Sequence, residues 1–195
     1  MGRITLLGVH HRHQVSIAEV EDSIVERMPG AVAVELPSDD YLKFLEVRSY
    51  LETEMKVAML TACEIGAEVY LIDLRKAHLE RRLRECLKIS DLRLWEGFQR
   101  GDLPAFYRRL LEIAPELIPL AKEVLLLDRE AAMAAKLLRL GERYEEVLAV
   151  VGYSHTGAIQ ELLANREKLR EILRRRGLSV GEPFHLECDE VLIYG

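Results

Sequence analysis

An α/β fold, with a central and largely parallel sheet flanked by helices, is what the sequence predicts. Four short runs are apolar without alternation, the pattern of strands covered on both faces. Segments of helical periodicity separate them, as crossover connections between parallel strands require. Two of the runs end in the same Gly-x-x-His pattern and each is followed by a helix, so strand and helix units recur along the chain. The 195 residues suit one domain, 1–195, with a full hydrophobic core.

In chain order the predicted strands are ITLLGV (Ile4 to Val9), AVAVEL (Ala31 to Leu36), VYLIDL (Val69 to Leu74), VLAVVG (Val147 to Gly152) and a short final VLIYG (Val191 to Gly195). The first helix is predicted from Ser16 to Met28, opened by its serine. A long one is predicted from Asp39 to Ile65, where Phe44, Val47, Leu51, Met55, Ala58, Ala62 and Ile65 recur at three-and-four spacing and Gly66 supplies the C-terminal cap. Lys76 to Leu87 follows, then shorter pieces around Pro104, Pro115 and Pro119, then Asp128 to Arg143. The apolar face of that last helix (Ala132, Met133, Leu137, Leu140) has two readings, core or a homodimer surface.

Composition narrows the function classes. A net charge of −6 argues against nucleic acid as partner. The basic stretches Arg75 to Arg84 and Arg166 to Arg176 carry leucines at helical spacing, which makes them solvated faces of amphipathic helices. Cys63, Cys86 and Cys188 are odd in number and lack a CxxC pair, so reduced thiols in a cytoplasmic protein are expected, and His185 with Cys188 is expected to be loop and core packing. No apolar run is long enough for a membrane span, and no signal peptide is evident. One Asn and three Gln beside 25 Glu and 20 Arg is a profile of proteins that work hot.

Reactive groups in α/β sheets collect at the carboxyl edge, and four predicted strands finish with a polar side chain there. They are His11, Glu35, Asp73 and His155. Glu35 is the most informative, since an unpaired carboxylate in an apolar strand is costly and demands a cation. That partner could be Arg12, Arg75 or Arg82, an imidazolium, or a metal; His and carboxylate oxygen are ordinary ligands of Zn, Mn or Co. Gly8 and Gly152 are expected to let the chain turn sharply after each strand, and Asp73 has a simpler reading as a cap for the helix near Lys76. His11 and His13 also form an HxH, the opening signature of metal-dependent phosphoesterases and barrel amidohydrolases, although five strands are too few for such a barrel.

The chain resembles the TraB family, which includes the pheromone-shutdown proteins and is related to the Tiki metalloproteases and the erythromycin-esterase/ChaN-like superfamily. The resemblance is carried, in family order, by GVHH, VAVEL, EMKVAML, GAEVYLID, DREAAMAAKL and VVGYSHTGAI, and covers roughly Ile4 to Leu163. It implies two related halves, each giving a GxxH motif to a shared cleft, and divalent-metal-dependent hydrolysis of peptide or amide bonds. Carried over residue by residue, it implies His11, His155 and Glu35 as metal ligands and catalytic residues. Glu54, Asp73 and Arg129, with Gly8 and Gly152, become supporting or substrate-orienting positions, and neither His10 nor His13 matches the motif. The pheromone-shutdown branch implies an alternative, a protein that sequesters a peptide or other small ligand without turning it over. Membrane-spanning segments follow this region in many members of the family, whereas a soluble core is expected here.

Overall fold

The computed structural model describes residues 1–10, 14–41 and 53–194, and in them five strands form one sheet. Its strands are β1 (Arg3–Val9), β2 (Ala31–Val34), β3 (Glu68–Leu71), β4 (Glu146–Gly152) and β5 (Phe184–Leu186), in the order β1-β4-β2-β3-β5. The first four are mutually parallel and β5 pairs antiparallel with β3. The continuous apolar runs are explained by this layering: every residue of β2 is fully buried because helices cover both faces.

Described helices are α1 (Gln14–Arg27), α2 (Glu54–Glu64), α3 (Lys76–Leu87), α4 (Leu92–Gln99), α5 (Leu103–Ile113), α6 (Ile118–Lys122), α7 (Arg129–Arg143), α8 (Tyr153–Ala164), α9 (Arg166–Arg176) and α10 (Cys188–Tyr194). One face of the sheet, through Val32, Val34, Val69, Leu71 and Val150, packs on α1 and α2. The other, through Ala31, Ala33, Ile72, Val147 and Val151, packs on α7, α8 and α9. A third cluster around Leu83, Trp95, Phe98 and Phe106 joins α3, α4 and α5. The small residues Ala31, Ala33 and Ala149 let α7, itself rich in alanine, approach the sheet closely.

Several expectations change. The face of α7 carrying Ala132, Met133, Leu137 and Leu140 is wholly buried, so it is core and offers no homodimer surface. Val191 to Gly195 was expected as a strand; Cys188–Tyr194 is helical instead, and the fifth strand is Phe184–Leu186. A four-residue apolar run has no periodicity to separate strand from buried helix. The single long helix is also broken. Asp39 and Asp40 lie in a turn, residues 42–52 fall outside the described residues, and Thr53 is extended, its side chain capping Lys56 N–H at the start of α2. Gly66 closes α2 as expected, with φ +77°.

The cysteines change most. Cys63 and Cys188 form a disulfide, with Cα atoms 5.4 Å apart, tying α2 to α10. Spacing alone could not find a bridge across 125 residues of sequence. Intracellular proteins of hyperthermophiles carry such bridges, so the disulfide is compatible with the compositional profile. No helix among the described residues is long and apolar enough to cross a membrane. Thiol titration of the denatured, unreduced protein should detect Cys86 alone, and all three cysteines after reduction. Closing so long a loop should contribute about 4 to 5 kcal/mol, lost on reduction and measurable by urea unfolding. Three reactive thiols before reduction would refute the bridge.

Candidate functional site

Strands β1, β2 and β3 follow one another outward, but the chain then returns to insert β4 between β1 and β2. The helices after β1 and β2 lie on one face and α8, after β4, lies on the other. Such a reversal opens a crevice at the carboxyl ends of the strands, where ligands of open α/β sheets bind. Glu35, Asp73 and His155 all emerge there.

Val32 and Val34 point to the α1 face, so alternation turns Glu35 toward α7 and α8. Arg129, the first residue of α7, meets it: Nη2 donates to Glu35 Oε1 at 2.6 Å and to Asp73 Oδ2 at 2.8 Å, while Nε donates to Asp73 Oδ1 at 3.0 Å. One planar guanidinium thereby bridges carboxylates at the ends of two adjacent strands. Burial disfavours its charge, but Asp73 and then Glu35 outweigh that and hold the Arg129 pKa above its ordinary value. The other Glu35 oxygen accepts the Gly152 N–H at 2.7 Å.

His155, in the first turn of α8, has Nδ1 2.9 Å from Glu130 Oε1 and Nε2 3.4 Å from Glu35 Oε1. The two ring nitrogens thus face two carboxylates, Glu130 at Nδ1 and Glu35 at Nε2. Lys136, two turns further along the Arg129 face of α7, donates from Nζ to the Asp73 carbonyl at 2.6 Å. Burial pushes its pKa down to about 8, with Asp73 pulling it back up and Arg139 adding to the lowering.

Asp128, just before α7, and the first two residues of that helix each face inward to a different partner. Asp128, fully buried, takes Arg82 Nε at 2.8 Å and Arg176 Nε at 2.7 Å. Arg129 takes the strand-end carboxylates and Glu130 takes His155. Three consecutive helical positions sweep about 200° of arc, so this turn is enclosed on three sides. A π-helical stretch, Glu123–Asp128, leads into it, and such insertions recur at functional sites.

Of the residues singled out in the sequence, the structure brings together Glu35, Asp73, Arg129 and His155. Their partners differ from those expected. The cation on Glu35 is Arg129 rather than Arg75 or Arg82, and Arg82 instead serves Asp128. Asp39, not Asp73, caps α3, accepting the N–H groups of Lys76 at 2.8 Å and Ala77 at 3.0 Å. Gly8 lies inside β1 and is no turn residue. A Cβ there would come within 2.7 Å of Thr156 Cγ2 and 3.3 Å of Tyr153 Cα, so its lack of a side chain lets α8 lie against the strand. Gly152 has φ −54°, open to any residue, and contributes its amide. The two glycines stand one rung apart, since Gly8 pairs with Val151 and Val9 with Gly152. Glu54 is buried in α2, whose core contacts lie on the opposite sheet face from Arg129 and His155. His11, Arg12 and His13, and with them the HxH pattern, fall outside the described residues. His10 is exposed and stacks on Tyr153, ring centroids 4.9 Å apart.

Glu130, Lys136 and Asp128 were missed as site residues. Lys136 carried a signal, because it stands seven residues after Arg129 on an otherwise apolar helix face. Among the described residues no group of three or more His, Cys, Asp or Glu is arranged to hold a metal ion.

No family model matches the chain, and no solved structure matches it. An uncharacterised protein of Methanocaldococcus jannaschii is 26% identical, over 87% of this chain and 55% of that protein. The chain spans about half the length of the curated relative it matches.

Replacing Arg129 by Met should destabilise the protein by about 3 to 5 kcal/mol, because two buried carboxylates lose their counter-charge. Glu35→Gln in the same chain should recover part of that, as read by urea unfolding; equal losses in single and double variants would deny the coupling. Lys136 binds fewer protons folded than unfolded between its lowered pKa of about 8 and its ordinary 10.5, so its contribution to stability rises with pH there. The stability of the native protein relative to Lys136→Met should improve by up to about 3 kcal/mol across that window. A difference independent of pH would contradict the buried-ammonium assignment.

Proposed function

We propose that the protein is a metal-dependent hydrolase of peptide or amide bonds, with His155 and Glu35 as two ligands of a divalent ion and His11 as the third. One observation carries this reading. His155 Nε2 and Glu35 Oε1 stand 3.4 Å apart, and two ligands about 2.0–2.2 Å from one tetrahedral ion stand about 3.3 to 3.6 Å apart. The hydrogen bond from Nδ1 to Glu130 adds to it, because metal-binding imidazoles are ordinarily oriented by a carboxylate on their other nitrogen. The resemblance to the TraB family, with its two halves and paired GxxH motifs, points the same way.

In this scheme Glu130 fixes the His155 tautomer, and the Gly152 amide with Arg129 fixes the Glu35 carboxylate. Both Glu35 oxygens already accept hydrogen bonds, so Glu35 suits the fixed role of a ligand better than that of a base which must take up a proton. A divalent ion there would polarise an amide carbonyl and acidify a water. Arg129, anchored on Asp73, keeps one N–H direction toward the same rim and orients the Glu35 oxygen.

A second reading, a protein that binds a peptide or small ligand without turnover, is favoured by a different observation. Arg129 already neutralises Glu35 at 2.6 Å, so the carboxylate has its counter-charge without a metal ion. Equilibrium dialysis against Zn, Mn and Co, with a peptide-library cleavage screen run with and without chelator, separates the two. The hydrolase reading expects about one ion per chain, loss of uptake in His155→Ala and Glu35→Gln, and chelator-sensitive cleavage. Full metal uptake by both variants would overturn it, and ligand binding with no metal uptake would establish the second.

A further inference from the structure

Beside the buried cluster, a cleft of about 490 Å³ opens between the start of α3, Lys136 of α7 and the 179–185 segment leading into β5. Its size is in the range of small-molecule sites. Arg75 stands exposed on its wall, and its guanidinium has no ion-pair partner among the described residues. Lys136 lines the floor and spends one of its three N–H donors, on the Asp73 carbonyl. Ser38 and Ser179 add hydroxyls.

The acids near the cleft are already engaged. Glu182 is paired with Arg139 at 3.3 Å and with Arg143, and His185 pairs with Glu68 and Glu187. On a chain of net charge −6, the cleft therefore holds two cations, Arg75 and Lys136, that make no ion pair among the described residues. His78 is also on the wall. Arg81 Nη2 donates to its Nδ1 at 3.3 Å, which leaves the ring proton on Nε2, and Nε2 is buried with no partner among the described residues. Phe184, 41% exposed, supplies an aromatic wall.

We propose that this cleft binds a small organic anion, its carboxylate or phosphate head held between Arg75 and Lys136 and its apolar or aromatic body laid against Phe184. The guanidinium fork suits either oxyanion, and the single aromatic wall sets the preference for an organic over an inorganic ion. The assignment is independent of the hydrolase reading, since none of these donors belongs to the proposed ligand set.

Titration of the full chain with benzoate, phenyl phosphate and neutral benzyl alcohol, followed by amide NMR shifts, tests it. Benzoate or phenyl phosphate should shift the amides of Ser179, Gly181 and Phe184 at millimolar concentration, and the tighter of the two identifies the head group. Benzyl alcohol should not shift them, and Arg75→Ala, at an exposed position that leaves the fold intact, should weaken the anion about tenfold. Lys136→Met should weaken it comparably. The proposal fails if neither anion binds, if benzyl alcohol binds as tightly, or if Arg75→Ala retains the affinity of the native chain.

Discussion

Two carboxylates at the ends of neighbouring parallel strands cannot both be buried without a shared cation, and Arg129 is that cation. Val34 pairs with Leu71, so Asp73 leaves the sheet one residue beyond the position opposite Glu35, and both lie on the rim that α7 covers. A lysine could neutralise one of them, but only a planar fork spans both with three directed hydrogen bonds. The helix that carries the fork is thereby fixed in register along the sheet. Once Arg129 is placed, Glu130 faces α8 and meets His155, and Asp128 faces α3 and α9 and meets Arg82 and Arg176. Three separate packing contacts follow from one turn of helix.

The balance of charge at this rim has a chemical consequence. Glu35, Asp73 and Glu130 carry three negative charges against those of Arg129 and Lys136, and a neutral His155 leaves one unmatched. A proton on His155 or a bound cation beside it completes the balance. Burial is what gives that choice weight, because the interior screens an unmatched charge far less than water does. The Nε2 position next to Glu35 is where either would sit.

Much of this was legible in the sequence because burial imposes composition. Continuous apolar runs marked β1 to β4, and the same logic singled out Glu35, for a carboxylate at the end of such a run has to be answered by something. What answered it was less legible. Arg75 and Arg82 were nearer in pattern to basic helix faces than Arg129 was, and only the fold brings residue 129 over residues 35 and 73. Gly8 was expected to let the chain turn after β1, whereas it lies inside the strand and lets α8 approach closely. The Cys63–Cys188 bridge and the Phe184–Leu186 edge strand were hidden because each depends on contacts far apart in the chain, and β5 has only three residues with which to show a period.

Asp73 joins two environments of opposite sign. Its carboxylate faces the anion-rich rim through Arg129, while its backbone carbonyl holds the ammonium of Lys136 at the floor of the cation-rich cleft. The two sites are thus separated by one residue of a rigid strand end, close enough for charge at one to be felt at the other across a poorly screening interior. An anion against Lys136 would offset the cost of burying that ammonium and strengthen its hold on the Asp73 carbonyl. A cation at the rim would act on the same residue from the other side, and linkage makes any such coupling equal in both directions. The fold's sharpest sequence signal, acids at the ends of buried strands, is therefore also the point through which its two candidate sites would communicate.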